Sequence, residues 1–205
     1  MQYKIEVVNS RTFPVYLSSL IETYQNIFAE PPEFQQWSNF DLEQILSSYL
    51  KMGNLAVALA KPAVGIAPDN QVVGFCASIP FKVSKLWESS ALFSNNPVSL
   101  SANFFQDCFQ IDVENLDYIA DLGVVKAFRH QGVGTQLMKA IGALKEQPTL
   151  LRVSVCRPEA YALYYKLGFR DMGVKQWAEY RRIDGTIKSS EKILMFRFSA
   201  GTDFS

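Results

Sequence analysis

DLGVVKAFRHQGVGTQLMKAIGAL, residues 121–144, is the stretch whose reading decides the fold. An apolar, β-branched run (Leu122, Val124, Val125) gives way to a basic, glycine-bearing turn (Arg129, His130, Gln131, Gly132, Val133, Gly134) and then to a helical pattern. Val133, Leu137, Met138, Ile141 and Leu144 recur at helical spacing, which predicts one apolar face packed on a sheet. The order is therefore strand, turn, helix, with the glycines where the helix begins. The first turn of a helix carries backbone N–H groups without partners, and aligned peptide dipoles place roughly half a positive charge there. Glycine lets a phosphate approach the main chain and adopts the dihedrals of a tight turn. Taken alone, the stretch reads equally well as a tight turn or as an anion site.

Working outward, residues 3–8 alternate with Tyr3, Ile5 and Val7 on one face, which predicts a first strand. Leu17, Leu20, Ile21, Tyr24, Ile27 and Phe28 follow Pro14 at helical spacing, and that helix should end near Ala29. Residues 30–37 (Glu-Pro-Pro-Glu-Phe-Gln-Gln-Trp) cannot extend it, because consecutive prolines remove donors and clash with the preceding turn. A second helix opens at Ser38-Asn39-Phe40-Asp41 and stops at Gly53, with Leu42, Ile45, Leu46, Tyr49 and Leu50 on one face. Residues 55–60 and 71–80 read as an antiparallel pair of strands around a loop at 62–70.

Residues 81–114 are apolar but broken by Ser84, Ser89, Ser90, Asn95, Asn96 and Pro97, and read as two short helices forming an insertion. The strand of the opening stretch (118–125), its helix (132 to about 146) and a strand at 150–156 imply a right-handed crossover joining parallel strands. A short helix at 158–167 ends at Gly168. Residues 172–183 and 188–198 flank Asp184-Gly185, a dipeptide that favours a hairpin turn.

The chain has 205 residues, 48% hydrophobic, enough for one substantial core. Lys plus Arg (20) balances Asp plus Glu (20), so no global field recruits nucleic acid or an anionic membrane. Cys76, Cys108 and Cys156 stand far apart, which argues against a disulfide framework or a zinc site and points to a cytoplasmic protein. The start lacks a basic, apolar leader, and no apolar run is long enough to span a bilayer. The one histidine, His130, cannot form a metal cluster alone, so no metal is expected and Ser-His-Asp chemistry is disfavoured.

A second signal changes the reading of the turn. Ala160-Tyr161-Ala162-Leu163-Tyr164-Tyr165-Lys166-Leu167-Gly168-Phe169 follows the next strand. The two motifs in this order resemble the GNAT superfamily of acyl-CoA-dependent N-acyltransferases. Its Arg/Gln-x-x-Gly-x-Gly/Ala turn is matched by Arg129, Gly132 and Gly134. Its Leu-Tyr-x-Lys-Leu-Gly-Phe-like segment is matched by Leu163, Tyr164, Lys166, Leu167, Gly168 and Phe169. Arg157 stands where many members have Asn, and Ala120 where some have Glu. The resemblance implies one α+β domain over residues 1–205 with an insertion at 81–114. It also implies a mixed, mostly antiparallel sheet containing one parallel β-α-β crossover, with helices on both faces.

The resemblance further implies acetyl-CoA as donor and direct attack by a primary amine on the thioester, with no acyl-enzyme. Leu122, Val124 and Val125 would pair with pantetheine through their main chain. Arg129, His130, Gln131, Gly132, Val133, Gly134 and Thr135 would hold the pyrophosphate, with Arg157 and Tyr164 completing the coenzyme contacts. Tyr164, preferred to Tyr165 on motif spacing, would protonate the departing sulfur. A lysine-like amine, with a reference pKa of about 10.4, must lose a proton first. Asp121 is the first candidate base, with a purely structural carboxylate as the competing reading.

Glu30 and Glu33 are weaker candidates, read by default as solvated, as is the side chain of Arg129. Cys156 reads as a small buried residue, not a nucleophile. The partner implied is a small-molecule or peptide amine acceptor, with no nucleic acid and no membrane; a homodimer is left open. The residue 30–37 elbow, the insertion and the final hairpin would frame the acceptor, and Phe34, Trp37, Trp87, Phe93 and Trp177 permit an aromatic one, although packing explains each as well. The alternative is a silent acyl-CoA-binding sensor or scaffold. A dinucleotide or nucleoside triphosphate loop lacks its further Gly or its Gly-Lys-Ser/Thr.

Overall fold

The computed structural model describes residues 3–61, 71–144 and 147–198; the loop expected at 62–70 lies outside them. In chain order the elements are β1 (Tyr3–Val7), α1 (Phe13–Phe28), α2 (Asn39–Met52), β2 (Asn54–Ala60), β3 (Val72–Pro80), β4 (Ser90–Phe93), β5 (Asn96–Ser99) and α3 (Ala102–Phe109). There follow β6 (Asp117–Val124), α4 (Val133–Gly142), β7 (Thr149–Ser154), α5 (Pro158–Lys166), β8 (Arg170–Arg181) and β9 (Ile187–Arg197). The strands form one mixed sheet in the order β1-β2-β3-β6-β7-β9-β8-β4-β5. Contacts divide the chain into two compact units.

The first unit comprises Met1–Ser78, Asp121–Leu144 and Tyr180–Lys188. Asn9 opens α1 by accepting from the N–H groups of Arg11 and Thr12, and Tyr16, Leu20, Tyr24 and Ile27 form its buried face. Ser38 caps α2 by accepting from the Asp41 N–H at 3.0 Å, and Gly53 terminates it. β1, β2 and β3 run antiparallel, and β2 and β3 are buried along almost their whole length, as expected of strands inside a sheet. Gly74 and Gly123 allow a close approach: a Cβ on Gly74 would lie 3.0 Å from the Gly123 carbonyl oxygen, and one on Gly123 would lie 3.0 Å from the Phe75 ring.

α4 buries Val133, Leu137, Met138 and Ile141; such side chains each contribute roughly 1.5–3 kcal/mol when removed from water. The helix ends at Gly142, earlier than its pattern suggested, and Leu144 is exposed beyond it. The tip of the last hairpin turns at Asp184-Gly185 and is bonded to the residue 30–37 elbow. The Gln36 N–H donates to the Arg181 carbonyl at 2.8 Å, and that of Ile183 to the Phe34 carbonyl at 2.9 Å.

The second unit comprises Ile79–Ala120, Lys145–Glu179 and Ser189–Ser205. β6 and β7 pair in parallel from Asp117 opposite Thr149 to Ile119 opposite Leu151, and β7 runs antiparallel to β9. The expected pair of helices at 81–114 is instead a hairpin, β4 with β5, followed by one helix, α3. The reason is local: Ser94 and Asn95 both adopt positive φ, which closes a tight turn that no helix accommodates. Phe93 from the hairpin packs edge-on against Phe104 and Phe109 of α3.

Candidate functional site

In the first unit the glycine turn resolves into an uncapped helix start. Gly132, at φ 81°, is the residue preceding α4; it provides no side-chain cap, and the first turn holds no acid. The Gln136 N–H is bonded to the Gly132 carbonyl at 3.0 Å, which leaves the N–H groups of Val133, Gly134 and Thr135 ahead of the intrahelical ladder. By contrast, α2 and α3 are closed by Ser38 and Ser101. His130 and Gln131 are exposed, and Tyr3 fixes the turn by donating its hydroxyl to the Gln131 carbonyl at 3.2 Å.

Arg129 does not extend into solvent. Its Nε donates to the Val124 carbonyl at 2.8 Å, and Nη2 lies 2.7 Å from Glu30 Oε2. Glu30 is thereby an ion-pair partner of the turn, while Glu33, expected to be solvated, is buried. The Val125 N–H is bonded to the Val73 carbonyl at 2.9 Å, within the sheet; Leu122 and Val124 are part-buried.

Asp121 is the acceptor of two phenols. Its Oδ2 lies 3.1 Å from Tyr24 Oη and 2.5 Å from Tyr49 Oη. These come from the buried faces of α1 and α2, so the carboxylate ties both helices to β6. Tyr24 is itself enclosed by Phe28, Phe75 and Trp37, with ring centroids 4.4, 5.2 and 5.5 Å away. Neither tyrosine was singled out from sequence as part of the site. The available signal was that each supplies a hydroxyl on an otherwise apolar helical face, which needs a partner once buried. Nearby, burial pushes the Cys76 thiol up, and the Asp121 charge adds to the effect; this sulfur is inert.

In the second unit Arg157 precedes α5, with Nη1 at 3.8 Å from Glu159. Tyr164 is buried and meets Phe169 edge-on at 6.0 Å. Tyr165, its neighbour, is exposed under the Arg170 guanidinium. Cys156 is exposed, not buried as its sequence context suggested; its position just beyond β7 removes it from the sheet's covered faces. Of the five aromatics that permitted an aromatic acceptor, Trp177 is half-exposed. Trp37 packs against Tyr24, and Trp87 and Phe93 pack against neighbouring phenylalanines; Phe34 lies under the Arg182 guanidinium.

The strand, glycine turn and uncapped helix lie inside residues 63–171, which match the family described as Acetyltransferase (GNAT) domain over more than half of the chain. The chain belongs to the GNAT family. Its fold agrees with solved GNAT structures. Arabidopsis thaliana NAA60, in complex with a bisubstrate analogue, superimposes with a TM-score of 0.65 at 17% identity, over 98% of this chain and 100% of that one. A GNAT superfamily phosphinothricin acetyltransferase from Sinorhizobium meliloti, in complex with AcCoA, gives 0.63 at 14% identity over 100% and 94%. The ribosomal-protein-S18-alanine N-acetyltransferase of Escherichia coli gives 0.58 at 15% identity over 100% and 99%. No curated protein sequence matches the chain. Among the described residues of this GNAT domain, no helix is long and apolar enough to cross a membrane.

Proposed function

We propose that this GNAT domain transfers an acetyl group from acetyl-CoA to a primary amine by direct attack on the thioester. The observation that carries the proposal is the uncapped start of α4 behind Gly132, which offers unpartnered N–H groups and a positive dipole end to an anion. In this reading the backbone from Arg129 to Thr135 binds the coenzyme pyrophosphate. The Arg129 side chain holds the turn to Val124 and Glu30 without itself binding phosphate. Leu122, Val124 and Val125 present the pantetheine arm, and Arg157 adds a contact at the start of α5.

The amine nitrogen attacks the thioester carbon, the carbon–sulfur bond breaks, and Tyr164 protonates the coenzyme thiolate. The amine's proton passes to Asp121 through Tyr49, whose phenol can accept a proton at oxygen while releasing its own across the 2.5 Å hydrogen bond. The whole chain acts as one acetyltransferase domain, with 81–114 as an insertion, and three unpaired cysteines suit a cytoplasmic setting. An amine acceptor on a peptide or a small molecule agrees with the peptide and small-molecule acetyltransferases of similar fold.

The test is thiol release from acetyl-CoA against a panel of amines, amino acids and peptide N-termini. Release that depends on the amine supports transfer. Tight coenzyme binding with no release across the panel would replace it with the sensor reading.

A further inference from the structure

Tyr3, at the start of β1 opposite Ala60, belongs to no step of the proposed chemistry. Its hydroxyl donates to the Gln131 carbonyl at 3.2 Å, 128 positions further along the chain and within the same unit. The bond lies at the exposed surface, where water would satisfy a phenol equally well, so burial does not demand it. What the bond fixes is a peptide plane. In a trans peptide the carbonyl and the following N–H point in opposite directions, so holding the Gln131 carbonyl toward Tyr3 turns the Gly132 N–H away from it. Among the described residues no acceptor meets that N–H.

The backbone of the turn makes that direction matter. His130 and Gly132 both hold positive φ, 59° and 81°, the first against the steric preference of a residue with a side chain. Gly132 is left-handed and Val133 opens the right-handed α4; successive residues of opposite hand set their N–H groups to converge on one anion. The Gly132 N–H is therefore the outermost donor of a concavity that continues into Val133 and Gly134. Gln131 Nε2 donates to the Ala127 carbonyl at 2.8 Å and Arg129 Nε to the Val124 carbonyl at 2.8 Å, which closes the entry to the turn. Tyr3 grips the Gln131–Gly132 peptide itself. We propose that Tyr3 is a positioning residue of the coenzyme site: its hydroxyl keeps the Gly132 N–H aimed at the pyrophosphate before the coenzyme arrives, so that less ordering is left to binding. The proposal rests on the acetyl-CoA reading above.

Calorimetric titration of the full chain and of Tyr3→Phe with coenzyme A and with inorganic pyrophosphate tests it, alongside thermal melting and steady-state kinetics with acetyl-CoA. Tyr3→Phe keeps the ring and deletes only the hydroxyl. It should weaken both ligands by the same factor, about 3- to 10-fold, the range of one lost hydrogen bond. In kinetics the loss should fall on the KM for acetyl-CoA, with kcat within about twofold. The Gly132 amide resonance should move when pyrophosphate is added to the full chain, and move less in Tyr3→Phe.

A hydroxyl that merely ties β1 to the turn would lower the melting temperature and leave both dissociation constants unchanged, and that result overturns the proposal. So does a loss on coenzyme A that pyrophosphate does not share, or a Gly132 amide that stays still in the full chain. Coenzyme A binding that Tyr3→Phe weakens, without acetyl transfer to any amine, removes the transferase reading and leaves the role of Tyr3 standing. Acetyl transfer with the affinities of Tyr3→Phe unchanged removes the proposal alone. A full chain that binds neither coenzyme A nor pyrophosphate removes both.

Discussion

Tyr164 and Tyr165 are adjacent, yet one is buried against Phe169 and the other faces solvent beneath Arg170. Replacing Tyr164 with Phe keeps the ring and removes only the proton donor. It should lower kcat by about 10² with little change in acetyl-CoA affinity, and steady-state kinetics with unchanged turnover would eliminate it as the acid. Asp121 makes a separate prediction, because a carboxylate holding two phenols is also a structural tie. Asp121→Asn should lower kcat by about 10² or more. Tyr24→Phe, which deletes one of the same hydrogen bonds, should cost only about 1 kcal/mol of stability. If Asp121→Asn merely melts earlier and keeps its turnover, the residue is a tie. The motif residues were readable through the resemblance to the GNAT superfamily, because the turn taken alone fits a tight turn equally well. The tyrosines bound to Asp121 were not, since helical spacing says which face is buried and not what lies beneath it.

At the scale of elements, α4 separates stability from binding. An acid in the first turn of a helix stabilises it by about 0.3–1 kcal/mol, whereas a phosphate held there is repelled. Gly134→Asp should therefore leave thermal stability unchanged or raised while weakening acetyl-CoA by about tenfold or more, measured by thermal melting and titration on the same sample. Undiminished affinity would move the pyrophosphate away from this turn.

α1 carries a pH-dependent term of its own. Tyr16 is buried and donates to Glu6 at 2.8 Å; burial, then that hydrogen bond and the Glu6 charge, push its phenol up to about 12. The unfolded phenol titrates near pH 10, so the folded state holds the proton more tightly. Its stabilisation is complete below about pH 10 and falls as pH rises toward 12. Tyr16→Phe should flatten that alkaline loss in denaturant titrations, and an unchanged slope would assign it elsewhere. The helices α1, α2 and α4 and the flanking strands were legible because each holds one period over two or more turns, or a steady alternation. β4 and β5 were not, because four-residue strands such as Ser90–Phe93 and Asn96–Ser99 are too short to show a period, and Ser94 and Asn95 lack the glycine that usually announces their turn.

For the whole molecule, membership of the GNAT family and the mixed sheet are established by the domain match and the strand order, and both follow from the two motifs that the sequence displays. The acceptor is not legible in the sequence. Contacts between segments distant in the chain, such as those of the elbow with the hairpin tip, arise only on folding. The account's central claim is that acetyl groups leave coenzyme A for an amine through this domain. The most direct measurement is mass spectrometry of the acceptor panel alongside thiol release. The expected result is one added acetyl group per thiol freed, with both signals falling together in Tyr164→Phe. Thiol release without acetylated amine, or neither signal while coenzyme A remains bound, would contradict it.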